Sequence, residues 1–135
     1  MSARRRHLLY LEDDAVLRDL VALTLRMLGS WHVDARGDPR DALARKSTPR
    51  PDLLLCDLGL PGMDGLTFWQ SWRADPDEPF LPAIFFTGHG PAPAARCREL
   101  GALDIIHKPF DPIKLPARIQ AACEKHLTYR KRPRA

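Results

Sequence analysis

Residues 52–65 read DLLLCDLGLPGMDG. The apolar run Leu53 to Cys56 ends in a carboxylate, Asp57, with Pro61, Gly62 and Gly65 close behind it. A run of that length bounded by turn residues reads as a buried strand. Burying the charge at its end unpaired would cost several kcal/mol. Asp57 therefore stands at the mouth of the fold or has a cationic partner waiting for it.

The flanking segments repeat this alternation. HLLYL (7–11) is a strand-length run, and Ala15 to Leu28 carries Val16, Leu17, Leu20, Val21, Thr24 and Leu28 on one face of a helix that Gly29 can end. WHVDA (31–35) is a weaker strand; Asp38-Pro39 pairs an N-cap residue with a proline at the first helical position, opening a short helix through Arg45. After Leu53–Cys56 come a helix from Asp64 to Ala74, a polar loop at 75–79 and a strand Ala83–Thr87. A helix Pro93–Leu100 ended by Gly101, a strand Leu103–His107 and a last helix Ile113–His126 complete the order. Trp69 and Trp72, three apart, read as one packed helix face. Five strands alternating with five helices predict an α/β fold, a doubly wound (βα)5 flavodoxin-like sandwich with a five-stranded parallel sheet.

A chain of 135 residues, 44% hydrophobic and 28% charged, has the composition of one globular domain. No apolar run approaches the roughly 18 residues of a membrane span, and the basic start reaches acids too early for a secretory signal, so the expected location is cytoplasmic. Cys56, Cys97 and Cys123 lack disulfide or zinc-ligand spacing and read as small buried hydrophobes. The net charge of +4 divides unevenly: residues 7–124 hold 13 Lys/Arg against 17 Asp/Glu, a net −4, and the ends are basic. The expected organisation is a basic arm at 1–6, a folded domain at 7–126 and a basic, disordered tail at 127–135. No helix-turn-helix or aromatic stacking pattern accompanies the tails, so specific nucleic-acid binding is not expected.

In such a sheet, ligands bind beyond the carboxyl ends of the strands. Those ends carry Glu12-Asp13-Asp14 after the first strand, Asp57 on the third, Thr87-Gly88 on the fourth and Lys108-Pro109 on the fifth. Crowded carboxylates need positive charge among them, and an open, oxygen-rich site suits Mg²⁺. Lys108 supplies a point charge suited to phosphate and Thr87 a donor, whereas Asp14 reads as the cap of the first helix. A carboxylate held rigidly beside a metal can act as a nucleophile toward phosphorus.

With these segments together (E-D-D, D-L-G-L-P-G-M-D-G, T-G-H-G and K-P-F), the chain resembles the receiver domain of two-component response regulators from His7 to about His126. The resemblance implies that Asp57 is the phosphoacceptor and that Glu12 and Asp13 form the acidic pair, with Asp13 the direct Mg²⁺ ligand. It further implies that the Gly59 carbonyl is a third protein ligand, that Thr87 contacts the phosphoryl group and that Lys108 pairs with it. A sensor histidine kinase or histidine phosphotransfer protein would be the donor and a protein effector the target. The K-P-F-D-P stretch and short tail look most like stand-alone receivers.

Two positions bear on switching. In receivers the residues two after the phosphoacceptor and two after the threonine flank the path of the hydrolysing water; here they are Gly59 and His89, so His89 is expected to set the acyl-phosphate lifetime. Three before Lys108, where many receivers carry a swinging aromatic, this chain has Ile105, whose stiff χ1 and smaller volume cannot reproduce that movement. A phosphatase of the haloacid-dehalogenase type shares the nucleophile and cation but places a second Asp where Gly59 stands. Flavin binding is disfavoured because acids occupy the first strand–helix turn, where an anionic phosphate would need donors.

Overall fold

The computed structural model describes residues 6–46, 49–78, 80–88 and 91–131. Among them, strands β1 (His7–Leu11), β2 (His32–Arg36), β3 (Leu53–Asp57), β4 (Ala83–Thr87) and β5 (Asp104–His107) alternate with helices. The helices are α1 (Ala15–Leu28), α2 (Pro39–Ala44), α3 (Gly65–Arg73), α4 (Pro91–Glu99) and α5 (Leu115–Lys131), the last preceded by a 3₁₀ turn at Pro112–Lys114. The strands form one sheet in the order β2-β1-β3-β4-β5, every pair parallel. Chain direction across the sheet reverses between β1 and β3, which opens a crevice at their carboxyl ends.

Side chains alternate across each strand and fill two cores. Leu9, Leu11, Leu54, Cys56, Phe85 and Ile105 meet Phe68, Trp69 and Trp72 of α3 and Ala94 and Cys97 of α4. Leu8, Tyr10, Leu53, Leu55, Ile84, Phe86 and Ile106 meet Val21 and Leu25 of α1 and Ile119, Ala122 and Cys123 of α5. β3 is buried along its whole length, as its unbroken apolar run requires. The expected caps form: the Asp14 carboxylate accepts from the N–H groups of Val16 and Leu17, and Asp38 accepts from Arg40 ahead of a helix with proline in its first turn. All three cysteines are free and buried.

Three expectations are corrected. The single apolar face drawn for α1 is two faces: Val21, Ala22, Thr24 and Leu25 are buried, whereas Val16, Leu20 and Leu28 are exposed. Helical spacing alone does not say which of two apolar stripes the sheet takes. The last helix begins after a 3₁₀ turn and continues to Lys131, because Leu-Thr-Tyr-Arg-Lys holds no helix breaker before Pro133. The stretch 127–131 expected as disordered tail is thus helical, and 132–135 lie outside the described residues. No helix among the described residues is long and apolar enough to cross a membrane.

Candidate functional site

The acids and the lysine meet at the β1/β3 crevice. Glu12 directly follows β1 and is 1% exposed; Asp57 closes β3 and is 7% exposed. Lys108, just past β5, reaches both: its Nζ donates to Asp57 Oδ2 at 2.6 Å and to Glu12 Oε1 at 2.9 Å. The Asp57 charge thus has its cationic partner. The other Asp57 oxygen accepts the Gly59 N–H at 2.9 Å, and Glu12 Oε2 accepts the Asp14 N–H at 3.2 Å. Thr87, 1% exposed at the end of β4, accepts the Lys108 N–H on its carbonyl at 2.8 Å, so the fourth and fifth strand ends are tied together. A cis peptide joins Lys108 to Pro109.

Electrostatics follow from this burial. Burial pushes the Glu12 carboxyl above its usual range, and the bonds from Lys108 and Asp14 only partly offset it. Burial works against the Lys108 charge too, but hydrogen bonds to Asp57 and Glu12 outweigh it and raise the ammonium above its usual value. Burial and then the charges of Glu12 and Asp57 push the Tyr10 phenol well up. Desolvation and the neighbouring Asp57 charge likewise hold the Cys56 thiol up, which leaves it an inert packing group.

Glu12, Asp13 and Asp57 each offer a carboxylate oxygen, and the three oxygens lie within 4.8 Å of one another. This donor set is all oxygen, with Glu12 and Asp57 buried and Asp13 exposed. Its chemistry fits a hard divalent ion such as Mg²⁺, which takes oxygen ligands and carries charge opposite to the clustered carboxylates.

Three residues to which sequence reasoning assigned no role hold this arrangement. A Cβ on Gly65 would stand 2.5 Å from the Asp57 carbonyl oxygen and 2.8 Å from Cys56 Sγ, so only glycine lets α3 start against the end of β3. Arg18 Nη1 donates to the Glu12 carbonyl at 2.7 Å, and Arg40 Nη2 donates to the carbonyl of Gly62, which sits at φ +79°. Helical side chains lean toward the N-terminus, so an arginine at the close of the first turn of α1 can reach back to the acidic loop; that was the available signal for Arg18.

Comparison with known proteins bears on this geometry. Residues 8–120 match the family model described as the response regulator receiver domain. The chain belongs to that family. The phosphate regulon transcriptional regulatory protein PhoB of Klebsiella pneumoniae is 36% identical over 121 residues, covering 89% of this chain and 52% of PhoB. The DNA-binding response regulator MtrA of Mycobacterium tuberculosis is 35% identical over 126 residues, 93% of this chain and 54% of MtrA. The chain therefore spans about half the length of the curated relatives it matches. Among solved structures, the chemotaxis response regulator CheY4 of Vibrio cholerae superposes with a TM-score of 0.77 at 28% identity, over 88% of this chain and 99% of CheY4.

Within this receiver, Glu12, Asp57 and Lys108 are in direct contact, and Asp13 borders them. Ile105 is 2% exposed, pairs with Phe85 across the β4–β5 ladder and packs in the core shared with α3 and α4. Strand alternation puts Thr87 on that same face of the sheet. His89 lies outside the described residues.

Proposed function

We propose that this receiver accepts one phosphoryl group on Asp57 and converts it into a change of surface. The observation that carries the proposal is Lys108 Nζ held between Asp57 and Glu12 at three strand ends. An electron pair on an Asp57 carboxylate oxygen forms the new O–P bond. The P–N bond of a donor phosphohistidine breaks, and its electron pair leaves with the imidazole, which takes a proton from solvent. The product is an acyl phosphate.

Glu12, Asp13, Asp57 and the carbonyl of Gly59 are the residues that would hold Mg²⁺. When bound, that ion supplies positive charge against the phosphoryl oxygens. The chain does the rest. The Gly59 N–H orients the carboxylate. Lys108 neutralises it before transfer, then follows the charge: the phosphoryl group adds about −1.5 to −2 charge and three acceptors, drawing the ammonium and the Thr87 hydroxyl inward. Because the Lys108 N–H bonds the Thr87 carbonyl, the ends of β4 and β5 respond together.

The donor in this reading is a sensor histidine kinase or histidine phosphotransfer protein, the reader is a downstream protein, and the location is the cytoplasm. The names of PhoB and MtrA give a second reading, in which the domain governs transcription through a DNA-binding segment. A phosphorylation-dependent gel shift that survives deletion of residues 125–135 would favour that second reading. The phosphoacceptor role is tested by incubating the protein with acetyl phosphate and Mg²⁺ and measuring intact mass. A single phosphoryl adduct is expected, absent after Mg²⁺ chelation and absent in Asp57→Asn. Undiminished labelling of the Asn variant would overturn the assignment.

A further inference from the structure

α1 is apolar on both sides. Its inner face, Val21, Ala22, Thr24 and Leu25, is buried against the sheet and α5. Its outer face carries a second stripe: Val16 is 80% exposed, Leu20 47%, Leu23 53% and Met27 73%. The spacing of four, three and four residues makes a straight seam along the helix, the pattern that pairs with another helix. Isolated exposed hydrophobes are ordinary, but four in one contiguous row form a patch of the kind that marks an interface.

The seam is complementary to itself when run in the opposite direction. In an antiparallel pair related by a twofold axis, Val16 of one copy meets Met27 of the other and Leu20 meets Leu23, giving four layers: two central Leu–Leu layers flanked by two Val–Met layers. The flanking charges match the same register. Asp19 and Arg26, seven apart on the outward edge of the seam, each fall between the same two layers as the opposite residue of the second copy. Two reciprocal Asp19–Arg26 ion pairs result. Within one helix these residues stand about 10 Å apart along the axis, too far for a direct bond.

We propose that α1 docks against α1 of a second copy of this chain, forming an antiparallel, twofold symmetric dimer. The seam and its flanks remove on the order of 1,000 Å² of surface from water in both copies together, the low end of specific interfaces, so the dimer is weak and reversible. Val16 lies in the first turn of α1, two residues past the Asp14 cap and three past Asp13. The dimer thus covers one approach to the acidic site, and a bulky protein donor competes with it while a small phosphodonor does not. The pairing itself needs none of the chemistry at Asp57.

Sedimentation velocity of the whole chain, from about 10 µM to about 1 mM, tests the proposal. A sedimentation coefficient that rises with concentration is expected, and Leu23→Glu should return the protein to a monomer throughout. Its fold is checked by an unchanged circular dichroism melt, since Leu23 faces solvent. Asp19→Arg and Arg26→Asp should each weaken association at least threefold, and the double swap should restore most of it. Arg26 also donates to the Val33 carbonyl at 2.9 Å; that bond is kept in Asp19→Arg and lost in both Arg26→Asp and the double swap, so the rescue is read as the double swap against Arg26→Asp, which differ only at position 19. A monomer at every concentration overturns the proposal, also where the seam is then protected only by another protein's helix. A dimer that survives Leu23→Glu, or a double swap without rescue, overturns the antiparallel α1 geometry.

Discussion

Gly65→Ala is the substitution whose consequence follows most directly from the structure. The added methyl would sit 2.5 Å from the Asp57 carbonyl oxygen, 2.8 Å from Cys56 Sγ and 3.2 Å from the Asp57 carbonyl carbon. Reaching ordinary contact needs a displacement of about 1 Å, and overpacking of that size costs roughly 1–3 kcal/mol. β3 cannot yield, because it lies between β1 and β4 and the Leu58 N–H also bonds the Phe86 carbonyl at 2.9 Å. The start of α3 moves instead and strains the bond from the Gly65 N–H to the Leu58 carbonyl, 3.2 Å long. For a domain of this size the melting temperature should fall by roughly 3–10 °C. Any residual push on Asp57 shifts its carboxylate relative to Lys108, and a misplacement near 1 Å costs up to about a hundredfold in rate. Thermal melts and the rate of labelling by acetyl phosphate at saturating Mg²⁺ measure both effects. A melt within about a degree of wild type, with labelling unchanged, would refute the close-approach reasoning.

Lys108→Ala leaves two buried carboxylates facing each other and should cost about 3 kcal/mol in chelator, with Mg²⁺ recovering more stability than it adds to wild type. The Lys108 ammonium is raised in the folded state, so its contribution is present below the ordinary value of 10.5 and lost as pH climbs through the raised one. Urea midpoints of wild type and variant should therefore differ at neutral pH and converge above that range. Glu12→Gln removes a carboxyl whose folded value lies above the usual 4.5. Glu12 favours the fold fully only below 4.5 and loses that contribution as pH rises through its folded value, so the Gln variant should gain stability relative to wild type as pH rises toward 7, a difference that disappears on acidification. Equal stability of the two proteins across that range would count against the buried-charge reading. Asp13→Ala should weaken Mg²⁺ binding by roughly 10–100-fold in calorimetric titration while leaving the melt in chelator unchanged; an affinity equal to wild type would pass the ligand role to Glu12 or Asp57 alone.

The sequence made the strand ends legible because chemistry interrupts them: an acid after Leu53–Cys56, a lysine and proline after the fifth strand and three acids after the first are each costly in a core unless the fold uses them. Helix starts were legible for a local reason, since Asp14 and Asp38 cap within their own turns. What the sequence hid depends on distant partners. Gly65 looks like any turn glycine until the Asp57 backbone is placed against it. Arg18 and Arg40 look like solvated charges until the Glu12 and Gly62 carbonyls are seen to accept from them. The outer seam of α1 was merged with the inner one because a hydrophobic period gives spacing, whereas burial depends on which side meets the sheet.

Trapping the acyl phosphate tests the phosphoacceptor assignment most directly. Borohydride reduces an acyl phosphate of aspartate to homoserine, and peptide sequencing of the protein after treatment with acetyl phosphate, Mg²⁺ and borohydride reports where the bond formed. The structure predicts homoserine at position 57 and at no other aspartate, because Asp57 combines burial, the Gly59 N–H and the Lys108 ammonium in one place. Homoserine at Asp13 or Asp14, or a phosphorylated protein that borohydride leaves with Asp57 intact, would contradict it.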